Sequence, residues 1–312
     1  SRKVWKAPRA RRKYRYDMAI LVNSQEKLPP SDGAALKKFI KAGRGLGVDV
    51  ELIEKRDFIR LAEYDSLFIR ETTSIDHHTY KFAKKAESEG MVVIDDPTSI
   101  LRCTNKIYLA DLLTTNKVPV PKTHILIKND RERTQRAIED LGFPLVLKIP
   151  DGSFSRGVVK VKNEQELADQ CKELFQNSSL LLAQEFMYTE FDWRIGVLNN
   201  KPLYACRYYM VKNHWQIYQH GTSRVAAGNF DTLPTYEVPK HVLDAALKAT
   251  KLIGDSLYGV DLKQAGDRAV VIEVNDNPNV DSGVEDKFLG DDLYEQIMQD
   301  FVRRMEDNRC NS

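Results

Sequence analysis

Two acids and an amide stand in apolar surroundings near the C-terminal end of this chain: Tyr258-Gly-Val-Asp-Leu262 and, after a short gap, Ala269-Val-Val-Ile-Glu-Val-Asn-Asp-Asn-Pro278. Both runs have the composition of strands, and the polar gap Gln264–Arg268 predicts a hairpin. A three-residue turn, Gly266-Asp267-Arg268, sets Asp261 opposite Glu273, and the strand period of two puts Asn275 on the face of Glu273. Two carboxylates held together in such surroundings repel each other and lose hydration unless a cation sits between them. An all-oxygen set of this kind fits Mg2+, which keeps several waters and bridges nucleotide phosphates. The competing reading is a solvated hairpin with its acids in water; the flanking Val-Val-Ile and Val side chains argue against it.

A second signal is a lysine at the end of an apolar run, Leu145-Val-Leu-Lys148-Ile-Pro, where an unpartnered ammonium is costly. The loop after it, Asp151-Gly152-Ser153-Phe-Ser-Arg156, leads to Gly157 and can wrap backbone N–H groups around phosphates. Neither a Gly-x4-Gly-Lys-Ser/Thr loop nor a Gly-x-Gly-x-x-Gly turn after a strand is present. A third signal, Leu180-Leu-Leu-Ala-Gln184-Glu185-Phe186-Met187, is an apolar strand with a polar end suited to the edge of an adenine ring, or a plain strand terminus. Arg194 and Arg207 lie in expected strands and can clamp carboxylates or phosphates bidentately; each alone is equally consistent with a structural ion pair. The six histidines form no metal-ligand spacing, with only His220, in Tyr218-Gln-His-Gly-Thr-Ser-Arg224, expected near substrate. Cys103, Cys171, Cys206 and Cys310 are scattered singly and read as reduced and structural.

The elements that must position these residues are legible as strands alternating with helices. Met18–Val22, Val48–Ile53, Ser66–Ile69 and Met91–Ile94 read as strands. Between them fall a helix carrying Leu36, Phe39 and Ile40 and a helix over Asp76–Glu89. This predicts a mostly parallel sheet covered on both faces and ending near Asp95-Asp96-Pro97. Beyond it come a helix over Asn105–Thr115, strands at Thr123–Ile127, Pro144–Pro150, Gly157–Val161 and Leu180–Glu185, and a helix over Glu164–Phe175. An antiparallel set follows at Trp193–Leu198, Leu203–Met210 and His214–Tyr218, with Asn199-Asn200 as a hairpin turn. Amphipathic helices are expected over His241–Ser256 and Asp292–Met305.

With 312 residues, 42% of them hydrophobic and 29% charged, the chain reads as a soluble protein of two or three lobes. No stretch approaches the roughly 20 apolar residues of a membrane span and no apolar signal core opens the chain, so no membrane partner and a cytoplasmic location are expected. The first 16 residues hold eight Lys or Arg and no acid, which leaves the rest net acidic. This basic arm reads as a linker from an upstream region, with contact to nucleic acid or an acidic partner as the alternative.

Taken in order, Asn105-Lys106, Pro144-Leu-Val-Leu-Lys148, Asp151-Gly-Ser-Phe-Ser-Arg-Gly157, Gln184-Glu185-Phe-Met187, Asp192-Trp-Arg194, Asp261 and Glu273-Val-Asn275 resemble the ATP-grasp superfamily. Within it the chain is similar to RimK-like ligases, the α-L-glutamate ligases that modify a ribosomal protein, with glutathione synthetases more distant. The resemblance implies an α/β, ATP-grasp fold: a Rossmann-like pre-ATP-grasp domain over 17–97 after the arm 1–16, a central lobe with a lid over 98–187, and a C-terminal lobe with the metal site over 188–312. It implies ATP and Mg2+, with Mn2+ as a substitute; Lys106 and Lys148 on phosphates, with Gly152, Ser153 and Gly157 in the lid; Gln184, Glu185, Phe186 and Met187 at adenine; Asp261, Glu273 and Asn275 on the metal; and Arg194 and Arg207 near the substrate carboxylate or acyl phosphate. The implied partners are an amino acid and a peptide or protein acceptor, in a homo-oligomer with a further N-terminal domain. Two rivals stand beside this reading: ligation of free amino acids or dipeptides, and nucleic-acid binding through the arm with Trp5, Tyr14 and Tyr16. Two departures, Asn105 at a position usually acidic and Asn275-Asp-Asn-Pro-Asn279 in place of an Asn-x-x-Pro-Gly ending, bear on substrate identity more than on ATP.

Overall fold

The computed structural model describes residues 14–151, 157–210, 218–219, 226–227 and 229–310. The chain opens with β1 (Tyr16–Leu21), α1 (Gly33–Gly45), β2 (Val48–Ile53), a 3-10 segment (Lys55–Glu63), β3 (Ser66–Ile69), α2 (His78–Ser88) and β4 (Val92–Ile94). The four strands form a parallel sheet in the order β2-β1-β3-β4, as the alternating pattern predicts. Helix α1 starts where Asp32 accepts from the Ala35 N–H. Both faces of β1 are buried: Met18 and Ile20 join a core with Phe39 and Phe68, while Ala19 and Leu21 join another with Phe82 and Ile100. Two helices follow end to end: α3 (Pro97–Thr104), which the sequence expectation lacks, and α4 (Lys106–Thr115), the helix expected over Asn105–Thr115, capped by Asn105.

Next come β5 (Thr123–Ile127), α5 (Arg131–Leu141), β6 (Leu145–Lys148), β7 (Val158–Val161), α6 (Glu164–Leu174) and β8 (Leu180–Glu185), an antiparallel sheet in the order β5-β8-β6-β7 backed by both helices. Helix α5 went unread because its sequence offers only Ala137, Ile138 and Leu141 as an apolar stripe.

The third sheet comprises β9 (Phe191–Leu198), β10 (Lys201–Tyr209), then β13 (Phe230–Leu233), β14 (Leu257–Ala265) and β15 (Arg268–Asn275), in the order β13-β10-β9-β14-β15. The short ladder of β11 (Tyr218–Gln219) and β12 (Ala226–Ala227) lies outside it. Apart from Tyr218, the strand expected at 214–218 lies outside the described residues. Helix α7 (Lys240–Ile253) covers one face of this sheet, packing on Trp193, Ile195, Val197, Val260 and Val274. On the other face, α8 (Asp291–Cys310) and α1 bury Leu198, Tyr204 and Cys206 against the parallel sheet. Two facing glycines let other groups cross that face. A Cβ on Gly196 would overlap the Tyr204 ring, and one on Gly259 would come within 2.6 Å of Pro278.

The β14–β15 hairpin closes with two residues, Gly266-Asp267, not three; Ala265 pairs with Arg268, and Gly266 takes a φ of 57°. A bulge between the Leu262 and Asp261 pairs, leaving Ile272 unmatched, restores the expected register, so Asp261 does face Glu273.

Candidate active site

A cleft of about 1000 Å3 opens where the three sheets meet. Its floor is the third sheet, whose register sets Asp192, Arg194, Asp261, Lys263, Glu273 and Asn275 on one face. Charges on this floor alternate in sign. Arg194 donates to Asp261 through Nε (2.6 Å) and Nη2 (2.9 Å), and Asn275 donates to Asp261 Oδ2 at 3.2 Å. Lys106, brought in at the start of α4 by the Asn105 cap, donates to Glu273 Oε1 at 2.7 Å. Burial raises the Glu273 pKa, but Lys106 beside it, with Lys148 and Arg194, outweighs that and holds the carboxyl below its usual range.

Lys148, at the end of β6, donates to Gln184 Oε1 at 2.8 Å, and the Gln184 amide in turn donates to Thr123. Burial pulls the lysine down to about 8, opposed by the charge of Glu273 and assisted by those of Lys106 and Lys263. Gln184 therefore faces the lysine, and the rim beside it is formed by Glu185, Phe186 and Met187. The Glu185 carboxylate accepts from the Lys122 N–H at 2.8 Å and pairs with Arg268, and Lys160 lies 3.6 Å from the centre of the Phe186 ring. Gly157 takes a φ of 69° and its carbonyl accepts from the Ile149 N–H. Gly152 and Ser153 lie outside the described residues, as does His220.

Arg207 is not brought to this floor. It pairs in register with Trp193, which puts it on the α7 face, stacked over Phe191 and Trp193 and paired with Asp231. Arg194 and Arg207 thus occupy opposite sides of one sheet.

The donor set fits a hard cation. Asp261, Glu273 and Asn275 supply three side-chain oxygens from one face of two paired strands at the edge of the cleft. The carboxylates are paired with protein cations, Asp261 with Arg194 and Glu273 with Lys106.

Residues not singled out from the sequence complete the site. Lys263 donates to Asp192 (2.6 Å) and Thr189 (2.9 Å) on the same floor. Asp192 enters the sequence reading only within the Asp192-Trp-Arg194 motif; Lys263 would have emerged from the period of two, being two residues from Asp261. Arg70, fully buried after β3, donates to Ser31 Oγ, Asn277 Oδ1 and the carbonyls of Pro30 and Pro278, fixing the turn after β15. Thr73 donates to Asp276, which burial pushes up to about 6. Next to Arg70 in the chain, Glu71 is pushed up to about 7 by burial, against the charge of His77.

Residues 103–301 match the model of the RimK-like ATP-grasp domain. The chain belongs to this family. It is 28% identical over 265 residues to the alpha-aminoadipate–LysW ligase LysX of Saccharolobus solfataricus, covering 78% of this chain and 88% of that protein. It is 25% identical over 264 residues to a probable alpha-L-glutamate ligase of Vibrio atlanticus, covering 81% and 83%. In fold it is similar to a D-alanine–D-alanine ligase from Bacillus anthracis, with a TM-score of 0.70 at 17% identity over 95% of this chain and 99% of that one. The RimK-like chain is thus a mixed α/β, ATP-grasp ligase that forms C–N bonds. No described helix is long and apolar enough to cross a membrane.

Proposed function

We propose that this ligase uses ATP and Mg2+ to join an amino acid, glutamate or a close analogue, to a peptide or protein acceptor through an acyl phosphate. The observation that carries the reading is the face shared by Arg194–Asp261 and Lys106–Glu273, with Lys148 across the same cleft. The names of the curated relatives, a ligase for alpha-aminoadipate and LysW and an alpha-L-glutamate ligase, support the substrate class.

In this reading Lys106 and Lys148 hold phosphate charge, Glu185, Phe186 and Met187 line the adenine rim, and Asp261, Glu273 and Asn275 hold the metal, which neutralises charge on the transferred phosphoryl group. Arg194 orients the reacting carboxylate. A carboxylate oxygen bonds to the γ-phosphorus as the bond to ADP breaks; the amine nitrogen then bonds to the carbonyl carbon, phosphate leaves, and the amine gives up a proton. The residues of the cleft act by positioning and by preformed charge, and the 151–157 segment is assigned the lid that limits hydrolysis. The domain limits 17–97, 98–187 and 188–312, a cytoplasmic location and a homo-oligomeric state complete the proposal.

The test is ADP release from Mg-ATP with a matrix of amino acids and acidic peptides, read by mass spectrometry. A product equal to both substrates minus water is the expected result and names the pair; a product built only from free amino acids would replace the peptide or protein acceptor. Failure to bind ATP in the presence of Mg2+ would overturn the reading.

A further inference from the structure

The segment between β3 and α2 forms one wall of the cleft through Thr72, Thr73, Ser74, Ile75 and Asp76. Its two ends meet behind that wall. Glu71, 1% exposed, stands at one end, and His77 and His78 stand at the other, as the N-cap and first residue of α2. One ligand atom from each of the three lies within 4.8 Å of the other two.

Two features separate this cluster from an ordinary buried ion pair. His78 Nε2 is 2.8 Å from Glu71 Oε1 without forming a hydrogen bond of good geometry, and the Asn23 side chain is a further polar neighbour acting on the carboxylate. His77 Nε2 is 3.8 Å from the same oxygen, and its other nitrogen, Nδ1, is within 3.2 Å of Thr79 Oγ1. A hydroxyl on Nδ1 is the kind of outer contact that fixes the tautomer and aims Nε2 of a ligating histidine. Among the charges around the rings, Glu26 acts on both and opposes Lys55, although at His78 the effect of Lys55 is the larger.

We infer that Glu71, His77 and His78 form a binding site for a divalent transition-metal ion, with zinc the first choice, that clamps the two ends of the cleft wall. Two imidazole nitrogens and one carboxylate oxygen suit an ion with bonds of about 2.0–2.2 Å and a further open position. The site is separate from the all-oxygen set on the third sheet and takes a softer metal. Burial also lowers the pKa of both histidines, which favours the neutral, ligating form.

The experiment titrates chelator-treated protein with Co2+ and then Zn2+, reading the visible ligand-field bands of cobalt and metal content after gel filtration. The expected result is one equivalent with a histidine-type cobalt spectrum that zinc displaces, lost in the H77Q/H78Q variant and kept in the D261N/E273Q variant. Thr79→Val, which leaves all three ligands in place, weakens binding by roughly 10–100-fold. Zinc also slows amide exchange across residues 72–76 in the wild type and not in H77Q/H78Q. Absence of a cobalt spectrum in the wild type, or an equivalent that depends on Asp261 and Glu273 and not on the histidines, would overturn the inference. If H77Q/H78Q does not fold, the wild-type titration and Thr79→Val decide it.

Discussion

Lys148 yields a quantitative test of the phosphate site. With its pKa pulled down to about 8, about nine-tenths of free molecules carry the ammonium at pH 7 but only about a quarter at pH 8.5. Phosphate oxygens beside it favour the charged form, so nucleotide binding raises the pKa and draws in a proton. Binding at pH 8.5 should then take up about three-quarters of a proton per site, against about a tenth at pH 7, and the apparent Kd should rise about fourfold between the two. Calorimetry of a non-hydrolysable ATP analogue in buffers of different ionisation enthalpy measures the uptake. Lys148→Arg, protonated throughout, should remove the uptake at pH 8.5 while keeping the charge. Uptake that persists unchanged in Lys148→Arg, or no uptake in the wild type, would refute the assignment.

The same displacement bears on stability. The folded pKa lies below the unfolded one, so above pH 8 the native state loses a proton that the unfolded chain still holds, and stability rises up to about pH 10.5. A fall from 10.5 to about 8 corresponds to at most about 3.4 kcal/mol, and access to the cleft reduces this to about 2–3 kcal/mol. Lys148→Met should accordingly be more stable than wild type at pH 7 and bind ATP poorly, with the difference closing above pH 10.5 in urea titrations.

Other perturbations separate neighbouring roles. Glu273→Gln should fold normally but lower ADP formation by about 100-fold or more, most severely at limiting Mg2+; unchanged turnover there would remove Glu273 from the metal site. Arg194→Ala should lower kcat/KM by about 100-fold, whereas Arg207→Ala, on the opposite face, should leave turnover near wild type and cost about 1 kcal/mol or less in urea titrations. Arg70→Met strands the carbonyls of Pro30 and Pro278 and should destabilise the protein by about 3–5 kcal/mol, measured by chemical denaturation. Gly196→Ala should cost about 1–3 kcal/mol through its overlap with the Tyr204 ring, with partial rescue by Tyr204→Leu.

What could be read from the sequence turned on where strands bulge. An apolar run with a fixed period names a strand and its faces, which is why Asp261, Glu273 and Asn275 emerged together. Cross-strand partners depend also on single-residue insertions that no period reveals. At the β14–β15 hairpin two departures cancelled: a turn one residue shorter than expected and a bulge at Ile272 kept Asp261 opposite Glu273. At the β9–β10 hairpin nothing cancelled. Asn199 and Asn200 both take positive φ and make the tight turn expected of them. An unbulged ladder from that turn, on which Lys201 pairs with Leu198, would set Arg207 against Asp192 and on the floor of the cleft. The irregularity between Pro202 and Tyr204 shifts the register by one and sends Arg207 to the other face. Proline within a ladder is characteristic of such a break, so Pro202 was the available sign. Arg70 left none, because its acceptors are backbone carbonyls and short side chains from distant segments.

The ion pairs on the floor also change the reason the carboxylates tolerate one another. From sequence alone a metal is expected between them; in the structure Lys106 holds Glu273 and Arg194 holds Asp261. Under the proposed assignment these pairs are what binding exchanges. A phosphate group would draw Lys106 from Glu273, and the freed carboxylate would be one of the residues holding the ion that accompanies the phosphate, so that no buried charge would be left alone. Either ligand by itself must break a pair without replacing the partner it removes. Mg2+ and nucleotide therefore bind with a shared coupling free energy, each raising the affinity of the other by the same factor. Glu273, which is paired with Lys106 in the structure, would on this assignment have two linked roles: neutralising the lysine before nucleotide arrives and holding the metal once the lysine has turned to phosphate.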